Sequence, residues 1–188
     1  MALTESKPFL AGSPCPDFDL LAVDGRRIRR ADFDGHGALV VMFLCNHCPY
    51  VQAVEDRVIA LAREFEGRGV GFAGICSNDA VAYSDDAPAK LLERWREKAY
   101  GFPYLIDESQ EVARRFDAVS TPEFYLFGAD RRLAYHGQLD DNWKEPQRVA
   151  HRDLALAIEA VLSGRAPAEP QRASIGCSMK WKARGATR

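Results

Sequence analysis

Residues 40–50 read V-V-M-F-L-C-N-H-C-P-Y, and this stretch decides the fold. It begins inside an apolar run, residues 38–44, whose lack of polar alternation is typical of a central strand buried on both faces. It ends where apolar side chains start to recur at helical spacing over residues 49–65. Cys45 and Cys48 therefore lie where a buried strand meets a helix.

The rest of the chain predicts alternating strands and helices. A hairpin is indicated by Asp24-Gly25, and further strands by residues 70–75 and 104–106. Pro88 suits the first turn of a helix between those two strands, and residues 123–136 favour a second hairpin. This order predicts an α/β protein with a central mixed sheet flanked by helices, an N-terminal hairpin and a C-terminal tail.

We interpret the chain as one domain followed by a tail. Residues 1–164 are expected to form one domain, and residues 165–188 a Pro-containing linker and tail that ends basic and holds Cys177. At 188 residues the chain can bury a sizeable core without disulfide or metal support.

Composition excludes several classes of function. The 25 basic and 27 acidic residues leave a net charge of -2, which gives no reason to expect a nucleic acid partner. The longest apolar run is far shorter than a membrane span, and the first residues lack the pattern of a signal peptide. We therefore expect a cytoplasmic protein with neither a nucleic acid nor a membrane partner. Five cysteines cannot all pair within one chain, so a secreted disulfide scaffold is not expected.

The pair Cys45-Asn46-His47-Cys48 indicates thiol chemistry. The start of a helix favours a thiolate, because unpaired backbone N–H groups and the helix dipole stabilise negative charge there. We expect Cys45 at the helix start to attack, Cys48 one turn inside to resolve, and His47 to tune the thiolate by contact with Cys45. A closed zinc site needs four ligands and no second ligand pair is present, so redox chemistry is the stronger interpretation.

Several segments resemble the thioredoxin-like superfamily, and specifically its redoxin branch, which is peroxiredoxin-like and of the alkyl hydroperoxide reductase and thiol-specific antioxidant type. The resemblance covers about residues 10–163 and rests on four segments besides residues 40–50: G-S-P-C-P-D-F-D-L at 12–20, D-G at 24–25, D-F-D-G at 32–35 and V-S-T-P-E-F-Y-L-F at 119–127. It implies a thioredoxin-like fold and a cis bond between Thr121 and Pro122. These two residues would shape a substrate groove facing the cysteine pair.

The resemblance leaves the type of redox reaction open. Peroxiredoxins carry P-x-x-x-T-x-x-C, which places their peroxidatic cysteine at Cys48, their Thr at Cys45 and their Pro at Val41. Since both supporting residues are replaced, we favour a thiol–disulfide oxidoreductase with a possible antioxidant role. The alternatives are a thiol peroxidase with Cys48 peroxidatic and a metal-binding module that holds a soft ion between the two thiolates.

Three cysteines lie outside the pair. Cys177 follows Gly176 in the tail, and it is either a third redox cysteine or an idle thiol. Cys15 and Cys76 are expected to be packing residues.

The expected reaction needs no organic cofactor and no bound metal. The substrate would be a protein or small-molecule disulfide or a peroxide. Electrons would come from thioredoxin, glutaredoxin or a low-molecular-weight thiol.

Overall fold

The computed structural model describes residues 3–8 and 10–183. Four helices and ten strands make up its regular structure, apart from three short 3-10 turns. The helices are α1 (Pro49–Glu64), α2 (Pro88–Lys98), α3 (Glu111–Arg115) and α4 (Asp153–Leu162). The strands are β1 (Leu3–Glu5), β2 (Asp19–Ala22), β3 (Arg27–Arg29), β4 (Ala38–Phe43), β5 (Val70–Cys76), β6 (Tyr104–Ile106), β7 (Ser120–Thr121), β8 (Glu123–Gly128), β9 (Leu133–Gly137) and β10 (Ile175–Ser178).

Seven strands form the central mixed sheet in the order β3-β2-β6-β5-β4-β8-β9. Strands β4, β5 and β6 are parallel, as expected for strands joined by helices, and the outer pairs are antiparallel hairpins. Every residue of β4 is buried, which agrees with its continuous apolar sequence and central place. The predicted α/β class with a mixed sheet is confirmed.

The core lies on both faces of this sheet. Alternate residues of β4 point to opposite faces, so Val40 and Met42 pack with α1 and α4, while Val41 and Phe43 pack with α3. Helix α1 is held against the first face by buried apolar residues that include Val54 and Val58. Since β4 and α1 both pack tightly, the connection between them is fixed at both ends.

A second, three-stranded sheet was not predicted from the sequence. Its order is β1-β10-β7, and all its pairings are antiparallel. It joins the start of the described chain to the C-terminal tail and to the segment that precedes Pro122. Within the described residues, no helix has both the length and the apolarity that crossing a membrane requires.

Candidate active site

The two cysteines of the pair lie in the short connection between β4 and α1. Cys48 is the N-cap residue of α1, and Pro49 occupies the first turn, where its missing N–H would have had no partner in the helix. The expected placement was therefore wrong: Cys48 sits at the start of the helix, and Cys45 lies three residues outside it. Cys45 is 1% exposed and Cys48 is 0% exposed.

Thr121 lies opposite both sulfur atoms. The Sγ atom of Cys45 is 3.3 Å from the Thr121 hydroxyl oxygen, and the protonated Cys48 thiol donates a hydrogen bond to the Thr121 carbonyl oxygen at 3.1 Å. The peptide bond between Thr121 and Pro122 is cis. The structure thus brings together the cysteine pair and the segment for which the sequence suggested a substrate groove.

Hydrogen-bond donors lower the pKa of Cys48. The largest effect comes from the Cys45 thiol, which donates to the Cys48 sulfur, and burial opposes it because a buried thiolate loses its hydration. The Cys177 thiol and the backbone N–H groups of Val51 and Cys177 add to the lowering. Together they bring the pKa of Cys48 to about 5, so that the thiolate, the nucleophilic form, prevails at neutral pH.

The pKa of Cys45 moves in the opposite direction. Burial raises it, and both the hydrogen bond to Cys48 and the nearby carboxylate of Asp86 raise it further. The proton of the pair is therefore held on Cys45 while the negative charge lies on Cys48. This is the reverse of the order that was predicted from the sequence, in which Cys45 was the thiolate.

A pH titration of the reduced protein should show this order. We expect the ultraviolet absorbance of the thiolate to rise as the pH increases, with a midpoint at about pH 5. With its pKa lowered to that value, Cys48 is a thiolate above about pH 5 and a protonated thiol below it. The Cys48→Ser variant should lack this step. Cys15→Ser should keep it, since burial raises the pKa of Cys15 to about 12. A first transition near the ordinary cysteine pKa of about 8.5 would contradict the assignment.

His47 faces Asp86 and not Cys45. Its Nδ1 atom is 2.6 Å from Asp86 Oδ2, and its ring stacks on Tyr83 with the centroids 4.8 Å apart. Its Nε2 atom is buried and has no hydrogen-bond partner among the described residues. His47 hydrogen-bonds to Asp86 instead of the predicted Cys45, although one of its ring nitrogens lies within 4.8 Å of the Cys45 sulfur.

Asp86 is a buried residue of the site that sequence reasoning missed. Its Oδ1 atom accepts hydrogen bonds from the backbone N–H groups of Asn46 at 2.8 Å and His47 at 3.3 Å, and its Oδ2 atom accepts one from Asn78 at 2.9 Å. This carboxylate holds the Cys45–Cys48 connection in shape. The order of the strands could have indicated it. The cysteine pair follows β4 and residues 77–89 follow β5, and the carboxyl ends of adjacent parallel strands meet at one edge of a sheet. A polar residue of this loop could therefore be expected near the cysteine pair.

The C-terminal tail reaches the site through β10. Cys177 lies opposite Thr121 in the antiparallel pairing of β10 with β7, and it is 1% exposed. Its thiol hydrogen-bonds to Cys48, and burial together with this bond raises the pKa of Cys177 to about 12. The candidate third redox cysteine is therefore in direct contact with the pair.

The segment that follows β10 is held by hydrogen bonds to both the N–H and the carbonyl group of Lys180. The Lys180 N–H donates to the Asn78 side chain at 2.8 Å, and the Lys180 carbonyl accepts from the Asp79 N–H at 2.8 Å and the Gln110 amide at 2.9 Å. The Met179 side chain is buried in the core. The Lys182 N–H also donates to the Gln110 side chain at 2.8 Å, so the tail is docked on the fold from β10 to Lys182.

Cys15 and Cys76 are both buried. Burial raises the pKa of each thiol, which keeps both protonated and unreactive at neutral pH. Their geometry is that of small packing residues.

Cys45 and two side chains near it could hold a cation. One ligand atom from each of Cys45, His47 and Asp86 lies within 4.8 Å of the others. Three ligands fall short of the four in a closed structural zinc site, and the Asp86 carboxylate already accepts hydrogen bonds from His47 and Asn78.

Two solved structures match nearly the whole chain. An uncharacterised conserved protein from Geobacillus kaustophilus is 43% identical, with a TM-score of 0.92 and coverage of 97% of each chain. A hypothetical protein from Sinorhizobium meliloti 1021 is 37% identical, with a TM-score of 0.92 and coverage of 96% of this chain and 99% of that one.

A more distant match shares the fold alone. It is the thioredoxin domain of a thiol-disulfide oxidoreductase from Bacteroides vulgatus, which is 14% identical with a TM-score of 0.59 and covers 69% of this chain and 89% of that one. Comparison with curated proteins gave no match. The fold is therefore thioredoxin-like, as predicted. Residues 11–136 match the model of the AhpC/TSA family, and since this match spans more than half of the sequence, the chain belongs to the AhpC/TSA family.

Proposed function

We propose that the protein is a thiol–disulfide oxidoreductase in which Cys48 attacks a substrate disulfide and Cys45 resolves the product. The opposite shifts of the two pKa values support this proposal, because they place a thiolate and a proton donor side by side. The N-cap position of Cys48 supports the same assignment. The attacking residue is thus the second cysteine of the pair.

The reaction runs in two exchanges. The Cys48 thiolate forms a bond to one sulfur of the substrate disulfide, and the other substrate sulfur leaves as a thiolate. Cys45 then loses its proton and attacks Cys48, which releases the second substrate thiol and leaves a Cys45–Cys48 disulfide. Thioredoxin, glutaredoxin or a low-molecular-weight thiol would return two electrons, and a reducing compartment such as the cytoplasm would supply them.

Neighbouring residues have supporting roles in this proposal. The Thr121 hydroxyl lies beside the Cys45 sulfur, and the Thr121 carbonyl oxygen accepts a hydrogen bond from Cys48 only while Cys48 is protonated. Pro122 continues the groove beside Thr121. His47 acts as a positioning residue through its hydrogen bond to Asp86.

Peroxide reduction is a second candidate, favoured by the low pKa of Cys48 and by the family match. In that reaction the Cys48 thiolate attacks the O–O bond and becomes a sulfenate, with water or an alcohol leaving. The Cys45 thiol then condenses with the sulfenate, which releases water and gives the same disulfide. The outcome would be an antioxidant role. Metal binding is a third candidate, favoured by the closeness of Cys45, His47 and Asp86.

Turnover assays separate these candidates. We expect the parent protein to accelerate the reduction of a peptide disulfide by dithiothreitol, and the Cys45→Ser/Cys48→Ser double variant to fall to the background rate. Turnover of hydrogen peroxide without turnover of the disulfide would favour the peroxidase. Stoichiometric binding of Cu(I) or Zn²⁺ that the double variant loses, without turnover of either substrate, would favour metal binding. Both results would contradict the proposal.

A further inference from the structure

The reactive sulfur atom is covered by the protein itself. Cys48 is 0% exposed although the donors around it favour a thiolate. The segment that covers it is β10, whose partner strand β7 carries Thr121. The Cys177 thiol of β10 is in hydrogen-bond contact with the Cys48 sulfur. A substrate disulfide therefore cannot reach Cys48 while β10 is in place.

Strand β10 lies on β7 as an added antiparallel strand. Its backbone comes so close that a Cβ atom on Gly176 would be 2.1 Å from the Thr121 carbonyl oxygen and 2.6 Å from the Thr121 carbonyl carbon. Both atoms belong to the backbone, which cannot move aside as a flexible side chain could. Only glycine fits at this position while β10 is docked.

The residue after Gly176 presents a thiol to the nucleophile. Both the side chain and the backbone N–H of Cys177 hydrogen-bond to the Cys48 sulfur. The cysteine of an extended substrate strand would have to meet Cys48 in the same way. Strand β10 therefore has the backbone pairing, the close approach and the thiol that a bound polypeptide substrate would supply.

We propose that β10 is a tethered substrate strand: it occupies the polypeptide-binding groove of the enzyme, and an external substrate is an extended segment with a Gly-Cys sequence that replaces it on β7. This inference rests on the proposed function, since it names the substrate class of that same site. The groove selects glycine before the reacting cysteine because of the close approach to Thr121.

The tethered strand also takes part in exchange. When the Cys45–Cys48 disulfide has formed, the Cys177 sulfur attacks Cys48, a Cys48–Cys177 bond forms, and the Cys45–Cys48 bond breaks. The proton of Cys177 passes to the Cys45 sulfur that leaves. The step consumes no external electrons, because one disulfide replaces another within the chain.

Peptide mapping of the Cys45→Ser variant tests the contact directly. Mild oxidation with diamide should join Cys48 to Cys177 in the monomer, because their sulfur atoms are in hydrogen-bond contact. If Cys177 stays a free thiol while the same variant still forms a mixed disulfide with a small aromatic disulfide, the inference is overturned and the proposed function survives. If Cys48 forms neither bond, the proposed function itself fails.

A glycine substitution tests the role of β10 as a cover. Gly176→Ala should raise the rate of alkylation of Cys48 by iodoacetamide by about tenfold or more, since overpacking against Thr121 shifts the strand toward its undocked state. Gly35→Ala is the matched control, because a Cβ atom there meets nothing within 4 Å. An unchanged rate in folded Gly176→Ala would overturn the inference.

A synthetic peptide provides a measurement that does not depend on the stability of Gly176→Ala. The peptide A-S-I-G-C-S-M-K-W-K repeats residues 173–182 and is prepared as a mixed disulfide with thionitrobenzoate. We expect it to modify Cys48 of the Cys177→Ser protein about tenfold faster than the same peptide with alanine in place of glycine. Equal rates for the two peptides would show that the groove does not select Gly-Cys and would overturn the inference.

Discussion

Replacing Cys48 with serine is expected to abolish disulfide exchange, with a loss of about 10³-fold or more in the rate. A serine hydroxyl stays protonated at neutral pH, whereas the pKa of Cys48 is lowered to about 5, so the variant loses the thiolate that attacks. Cys45→Ser should behave differently. It should lose multiple turnover but keep the first exchange, because only the resolving thiol is missing. Single-turnover and multiple-turnover assays with the same disulfide measure the two steps separately.

The matched control for these variants is Cys15→Ser. Cys15 is also buried, but it packs in the cluster on the face of the sheet opposite α1. Its replacement should leave the exchange rate near that of the parent protein. The assignment of roles would be wrong if Cys48→Ser kept the first exchange and Cys45→Ser lost it.

Replacing Glu123 with alanine is expected to lower the free energy of unfolding by about 3 kcal/mol or more. Its buried Oε2 atom accepts hydrogen bonds from the N–H groups of Val119 and Ser120 at 2.9 and 3.0 Å. Its Oε1 atom accepts one from the Tyr125 hydroxyl at 2.8 Å and lies 2.9 Å from His136 Nε2. Each buried donor left without a partner costs about 1–3 kcal/mol. Urea unfolding followed by circular dichroism measures the loss.

The Glu123 variant also tests the link between the fold and the site. Glu123 follows Pro122 directly and holds the residues before Thr121, so its loss should also disturb the donors around Cys48 and shift the thiolate titration upward. Glu66→Ala is the control, because Glu66 is exposed and should change the free energy of unfolding little. A change of less than about 1 kcal/mol in Glu123→Ala would contradict the proposed buried network.

Local sequence patterns were sufficient to predict the central sheet. The continuous apolar run at β4 reflects the burial of that strand on both faces, and the Asp24-Gly25 turn depends on residues that are close in sequence. The cysteine pair was located for the same reason, since its position depends on the strand and helix on either side. Pro49 could have shown that Cys48 is the N-cap residue, because proline is favoured in the first turn of a helix.

Features that depend on contacts between distant segments were not predictable. Asp86 lies about forty residues from the cysteine pair, and nothing in the polar sequence around it distinguishes a buried carboxylate from a solvated one. The sheet of β1, β10 and β7 joins the two ends of the described chain, and its strands are too short to give a pattern. The order of the thiol pKa values depends on Cys177 and on burial, which only the folded chain defines.

Mass-spectrometric mapping of a trapped mixed disulfide tests the central claim most directly. The double variants Cys45→Ser/Cys177→Ser and Cys48→Ser/Cys177→Ser are each reacted with the thionitrobenzoate peptide that repeats residues 173–182, and the modified cysteine is identified after digestion without reductant. Cys177 is replaced in both variants because its thiol contacts Cys48 and would release the bound peptide. We predict that Cys45→Ser/Cys177→Ser carries the peptide on Cys48 and that Cys48→Ser/Cys177→Ser carries little or none. A peptide bound to Cys45 in Cys48→Ser/Cys177→Ser, with none on Cys48 in Cys45→Ser/Cys177→Ser, would contradict the account.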